Sequence, residues 1–198
     1  HDALPICHDC VFKLRKILKT KKVGHTGTLD PGVEGVLPIC IGQATRIAEY
    51  LTDAGKTYEA VVAIGRTTTT EDAEGETVEQ DTTNKSFTRT QILQALKTLT
   101  GDIQQTPPMF SAVKVNGKKL YEYARAGQTV ERPTRQVTIY ELQLLSEEEN
   151  FEGQDVYFSI RIKCSKGTYI RTLAVQIGEA LGYPAHMHEL VRTASGTF

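Results

Sequence analysis

No stretch of this 198-residue chain approaches the roughly 20 consecutive apolar residues that a membrane-spanning helix needs, so a membrane role is not expected. The N-terminus lacks a basic segment followed by an apolar one, which leaves the cytoplasm as the expected location. Neither the Walker pattern nor G-x-G-x-x-G occurs, and without them a nucleotide cradle has no support. Internal repeats, low-complexity tracts and linker-like stretches are also missing, so a single domain is expected. Cysteine is sparse, at positions 7, 10, 40 and 164. The Cys7-x-x-Cys10 pair has the form of a zinc half-site or a redox dithiol. Cys40 and Cys164 stand alone in apolar, strand-like contexts and do not complete a tetrahedral set. The better reading is reduced thiols and no metal.

An excess of charge is lacking too. The formal net charge is −1, with 39% hydrophobic and 24% charged residues, ordinary for a globular protein. The distribution says more than the total. Residues 13–22 (KLRKILKTKK) contain basic side chains and no acid, and a second basic stretch runs from Lys114 to Arg135. Acids gather elsewhere, as at Glu147, Glu148 and Glu149. Such segregation allows a positive face on a neutral protein. It is equally what solvated helix faces look like.

Hydrophobic spacing predicts a helix over 9–20 with Val11, Leu14, Ile17 and Leu18 inward, and a buried strand over 36–42. A second helix is expected over 44–54 with Ala44, Ile47, Ala48 and Leu51 inward, followed by a strand over 57–65. Residues 66–76 read as polar and turn-like. Thr88-x-x-Gln91 is a possible capping box for a helix over 88–99. Asn116-Gly117 signals a hairpin, and 137–145 and 156–164 alternate as strands with one buried face. A last helix over 169–181 ends at Gly182. Interspersed helices and strands plus a hairpin point to an α+β domain around a mixed or antiparallel sheet flanked by helices.

The most informative stretch is the loop GHTGTLDPGVEG (24–35). It combines glycines, hydroxyl side chains, His25, and Asp30 locked before Pro31. The proline biases Asp30 to extended backbone, so the carboxylate projects from a stiff chain, as a positioned nucleophile or base requires. An Asp-Pro turn capping local N–H groups has the same residue types, and a lone histidine is commonly structural.

GHTGTLDP followed by GVLPICIG resembles the catalytic motif of the TruB-type tRNA pseudouridine synthases. Four further segments resemble that family in order and spacing: KTYEAVVAIGRTTTTEDAEG, PPMFSAVKVNGKKLYEYARAG, CSKGTYIRTLAVQIGEALG and AHMHELVRTASGTF. The resemblance covers 8–198, leaving 1–7 unmatched, and a C-terminal PUA domain like the family's is not expected within this chain. Weaker tRNA binding would follow. The resemblance implies the pseudouridine synthase fold and isomerisation of uridine 55 in the tRNA T loop. It implies Asp30 as catalytic aspartate, Tyr58 as the tyrosine stacking on the base, and Arg171 as the arginine pairing with Asp30. It further implies His25 as the residue entering the space of the flipped nucleotide and Leu190 as an apolar neighbour of the uracil.

The implied chemistry breaks the N-glycosidic bond and rejoins uracil through C5 without net redox change. No cofactor or metal is therefore expected. An ionised carboxylate is needed near the sugar and base, and a guanidinium fork, bidentate on Asp30, would hold it ionised and oriented. Taken alone, Tyr58 is also a core strand aromatic and Arg171 also a structural ion pair. Phosphate contacts are expected from Lys21 and Lys22, and from Lys114, Lys118 and Lys119 in the hairpin region. The expected partner is the tRNA T arm, with no obligatory protein partner and a monomeric state. Two other readings stand beside this one: an inactive RNA-binding module on the same scaffold, and a guide-RNA-dependent synthase of the related eukaryotic and archaeal type.

Overall fold

A computed structural model describes residues 7–198, so the unmatched segment 1–7 lies, except for Cys7, outside the described residues. Helix α1 (Cys7–Ile17) leads to the short strands β1 (Val23–His25), β2 (Glu34–Gly35) and β3 (Ile39–Ile41). A 3-10 turn, Gly42–Ile47, runs into α2 (Ala48–Asp53), and then come β4 (Lys56–Ile64), β5 (Arg66–Thr68), β6 (Thr77–Gln80) and β7 (Lys85–Thr88). Helix α3 (Arg89–Thr98), β8 (Gly101–Gln105), the hairpin β9 (Lys114–Val115) and β10 (Lys118–Lys119), and α4 (Leu120–Arg125) follow. The chain closes with β11 (Arg135–Leu144), β12 (Asn150–Gly153), β13 (Val156–Cys164), α5 (Ile170–Leu181) and β14 (Ala185–Ser195).

The central sheet has six strands in the order β2-β14-β4-β13-β11-β8. It is mixed, because β2 runs parallel to β14 while the other pairs are antiparallel. Alternation explains its strongest strand: Val156, Phe158, Ile160, Ile162 and Cys164 on β13 are all buried, and every intervening residue is more exposed. Their face packs on α5 through Ile170, Leu173, Ala174 and Ile177, and on α3 through Ile92 and Leu96. Gly178 lets α5 lie against β14: an added Cβ would sit 2.6 Å from the Tyr183 carbonyl and closer still to the Ala185 side chain. The capping box is present, with Thr88 accepting from the Gln91 amide and the Gln91 side chain accepting from the Thr88 amide. The hairpin turn has φ 51° at Asn116 and 82° at Gly117, the left-handed pair that Asn-Gly favours.

The N-terminal expectations need correction. Helix α1 stops at Ile17, not 20, and only Val11 and Leu14 of the expected stripe turn inward; Ile17 and Leu18 are exposed. The expected strand over 36–42 is only β3. The expected helix over 44–54 divides into a 3-10 turn and a short α2, with Ala44 and Ile47 exposed and Ala48 and Leu51 half-buried. Apolar spacing here records a surface layer lying against β1 and β3 and not a core helix. The turn-like 66–76 segment contains β5, which pairs with β6. Among the described residues, no helix is long and apolar enough to cross a membrane.

Candidate active site

Three segments far apart in sequence converge at the end of the central sheet. The loop between β1 and β2 carries Asp30, β4 carries Tyr58, and the first turn of α5 carries Arg171. Pro31 and the paired strands at either end of the loop limit its freedom. Gly35 is required for that closure, because a Cβ there would collide with the backbone of Arg192 on β14. A reciprocal pair of bonds then fastens the loop: the Val36 amide donates to the Arg192 carbonyl at 2.7 Å, and Arg192 Nε donates to the Val36 carbonyl at 2.7 Å.

Arg171 is buried and its Nε lies 2.9 Å from Asp30 Oδ2, while the Asp30 side chain remains 43% exposed. The Nε–H does not point along that approach, so the contact is an ion pair and not an aligned hydrogen bond. The expected bidentate fork is not formed. Arg171 Nη1 instead donates to the Thr70 carbonyl at 3.0 Å and Nη2 to the Phe110 carbonyl at 3.1 Å. Asp72 Oδ2 lies 3.8 Å from Nη1 on the far side. The turn that carries Arg171 is itself fixed by the buried Gln105, whose carboxamide bonds the Tyr169 amide at 2.9 Å and the Tyr169 carbonyl at 3.2 Å.

A cavity of about 120 Å³ opens beside this pair, lined by Asp30, Tyr58, Arg171 and Leu190 together with Val33 and Ile170. Its volume is below the ~300–1,000 Å³ of drug-sized pockets, which suits one small planar group. Burial pushes the Tyr58 phenol above its ordinary pKa, and Cys164 adds to that rise while the nearby Arg192 opposes it. The phenol is therefore neutral near pH 7 and offers a flat face with a donor, not a base. A wider depression of about 360 Å³ leads away from Asp30 past Phe110, Tyr121 and Arg125.

Of the residues expected at the site, Asp30, Tyr58, Arg171 and Leu190 meet in one cavity. His25 does not line it; its Nδ1 accepts from the Gly27 amide at 3.3 Å and its ring lies 6.2 Å from that of His8. Burial, then His8, lower its pKa, so the ring is neutral near pH 7. Lys21 and Lys22 are exposed just before β1. Lys114 and Lys118 are exposed on the hairpin, and Lys119 is half-buried with its Nζ 3.3 Å from the Tyr121 hydroxyl. Tyr121 and Arg125, not the lysines, line the depression, with the Arg125 guanidinium 5.2 Å from the Tyr121 ring centre.

Sequence reasoning missed Arg192. It is 2% exposed, pairs in register with Tyr58, and donates to the Gly27 carbonyl at 3.2 Å and the Thr28 carbonyl at 3.5 Å besides Val36. The available signal was parity: Arg192 shares a strand face with Leu190, and a charge on an apolar face is buried only when hydrogen-bonded. Asp72 was missed as well, because an acid in a polar turn carries no signal of its own. Among the described residues, no group of three or more His, Cys, Asp or Glu could hold a metal ion.

The chain is similar to known proteins over nearly its whole length. A family model described as TruB family pseudouridylate synthase (N terminal domain) matches residues 15–170, and one described as tRNA pseudouridylate synthase B C-terminal domain matches 171–198. The second stretch supplies most of α5 and all of β14, which lies in the sheet between β2 and β4. A tRNA pseudouridine synthase B from Geobacillus thermodenitrificans is 66% identical over 191 residues, covering 96% of this chain and 63% of that protein. One from Bacillus anthracis is 65% identical over 191 residues, covering 96% and 62%. The chain thus spans less than two thirds of the length of these relatives. A solved Cbf5–Nop10–Gar1 complex contains a chain that is 36% identical, with a TM-score of 0.67 over 97% of this chain and 46% of that one. An H/ACA RNP bound to a substrate RNA containing 2'-deoxyuridine gives 32% and 0.65, over 97% and 44%. With a family model matching residues 15–170, this chain belongs to the TruB family of pseudouridylate synthases.

Proposed function

We propose that this chain isomerises uridine 55 in the T loop of tRNA to pseudouridine, with Asp30 as the catalytic carboxylate. The observation that carries the reading is the meeting of Asp30, Tyr58, Arg171 and Leu190 around one cavity sized for a single base. The half-exposed carboxylate faces the place where a sugar and base would sit, and the buried guanidinium beside it fixes its position. Extruding the uridine costs about a few kcal/mol, and stacking on Tyr58 returns roughly 1–3 kcal/mol. Leu190 closes the cavity on the apolar side. Asp30 bonds transiently to the nucleoside as the N-glycosidic bond breaks, the uracil turns within the cavity, and the carboxylate is released once C5 has replaced N1 at the sugar. The proton lost from C5 is balanced by one gained at N1, so the product is an isomer and no electrons are exchanged with a cofactor. His25 enters the space left by the flipped nucleotide, and the basic residues hold phosphates.

The stand-alone tRNA reading is favoured over a guide-dependent one by the relatives at 65–66% identity, against 32–36% for the chains from the Cbf5 and H/ACA assemblies. Incubating the chain with an unmodified T-arm transcript, digesting the RNA and separating its nucleosides tests the proposal. Pseudouridine at position 55 with no protein, guide RNA, metal or cofactor added is the expected result. A requirement for added partner proteins would move the reading to the guide-dependent class.

A further inference from the structure

We propose that Cys7 and Cys10 form a thiol–disulfide modification site coupled to the loop that carries Asp30. Both thiols line one cavity of about 300 Å³ whose opposite wall includes Leu29, Asp30 and Pro31. Cys7 is buried and its sulfur accepts the Leu29 amide hydrogen at 3.1 Å; the same sulfur lies 3.9 Å from the Leu29 carbonyl. Leu29 immediately precedes Asp30, so the residue next to the carboxylate is held in place by a cysteine. Cys10 is half-exposed one helical turn on. Residues three apart on an α-helix have Cα atoms about 5 Å apart, inside the ~4.4–6.8 Å window for a disulfide. A metal reading fails, because no third ligand joins the pair among the described residues. Cys40 and Cys164 are buried and isolated.

The oxidant class is a low-molecular-weight disulfide such as glutathione disulfide, and the cavity is large enough to admit one of its ends. The more accessible Cys10 thiolate attacks one sulfur of that disulfide and releases one glutathione thiol, leaving a mixed disulfide on Cys10. The Cys7 thiolate then attacks the Cys10 sulfur and releases the second glutathione thiol. Two protein thiols become one disulfide, the glutathione disulfide is reduced to two thiols, and the two protons pass to those thiols. Once bonded at about 2.05 Å to Cys10, the Cys7 sulfur leaves the Leu29 amide, which loses its acceptor. The loop loosens beside Asp30. A displacement of about 1 Å at a reacting group costs on the order of a hundred-fold in rate.

The site itself does not depend on the proposed function; its effect on rate does. The chain is equilibrated across a series of reduced-to-oxidised glutathione ratios and then alkylated. Three readouts follow: peptide mapping of the disulfide, hydrogen exchange at the Leu29 amide, and pseudouridine formation. A mapped Cys7–Cys10 disulfide, faster exchange at Leu29, and a ten- to hundred-fold lower rate reversed by dithiothreitol are expected. Cys10→Ser cannot close the disulfide and leaves the Cys7–Leu29 contact intact, so its exchange and its rate should not respond to the glutathione ratio. The absence of that disulfide at every ratio overturns the proposal. So does a disulfide that forms without changing Leu29 exchange, or a Cys10→Ser chain as sensitive as the unaltered one. If the chain proves inactive towards uridine, the first two readouts still decide the site, and only the proposed function falls.

Discussion

Arg171 divides its guanidinium among three parts of the chain: Asp30 through Nε, Thr70 through Nη1 and Phe110 through Nη2. A lysine has one nitrogen on a flexible stem and cannot hold all three at once. Arg171→Lys should therefore lose at least about a hundred-fold in kcat with little change in tRNA affinity, because charge remains while position is lost. Single-turnover kinetics beside filter binding would check this, and a near-normal rate would mean that charge alone suffices. Tyr58 presents a different case. Burial raises its phenol pKa, which argues against a role as proton acceptor and for a role as a flat platform. Tyr58→Phe should stay within about ten-fold of the unaltered rate, whereas Tyr58→Ala should lose stacking of about 1–3 kcal/mol. Equal loss in both variants would assign the chemistry to the hydroxyl.

At the scale of elements, strand β14 links the Asp30 loop to the core through Arg192. Its side chain donates to three carbonyl oxygens along that loop, two before Asp30 and one after it, and also reaches the Tyr58 hydroxyl. Arg192→Met fills the volume but leaves those carbonyls unpaired, at a cost of about 1–3 kcal/mol each where they stay dry. A fall of a few kcal/mol in unfolding free energy is expected, with the rate falling beyond what unfolding accounts for; denaturant melts and kinetics on the same preparation would show it. This clamp explains why the loop was legible as chemistry but not as structure. Glycines, Asp30 and Pro31 are local signals, whereas a guanidinium arriving from residue 192 is not. The elements divide along the same line. Strand β13, helix α3 and helix α5 were readable because strict alternation or a capped helical stripe faces a core. The 9–20 and 44–54 segments misled because Ile17, Leu18 and Ile47 are apolar at helical spacing yet exposed. Short pairs such as β5–β6 and β7–β12 have too few residues to show a period, and tertiary pairing makes them.

Over the whole molecule, a net charge of −1 predicts weak long-range attraction to RNA, while local basic clusters predict a few phosphate contacts. Lys21 and Lys22 are exposed just ahead of the Asp30 loop. Replacing both by alanine should weaken tRNA binding and reduce the salt slope by about 1.4, or ~0.7 for each lost contact on single strands. The chemical step at saturating RNA should be nearly unchanged, since phosphate contacts position and do not react. A salt titration with an unchanged slope would move the binding face to the hairpin, where Tyr121 and Arg125 line the depression beside Asp30. The most direct measurement is tritium release from a T-arm transcript labelled at C5 of its uridines, comparing the unaltered chain with Asp30→Asn. The substitution keeps the shape and removes the nucleophile, so release should fall to background while binding of the transcript stays within a few-fold. Release by Asp30→Asn at more than a trace of the unaltered rate would contradict the assignment of Asp30 as the catalytic group.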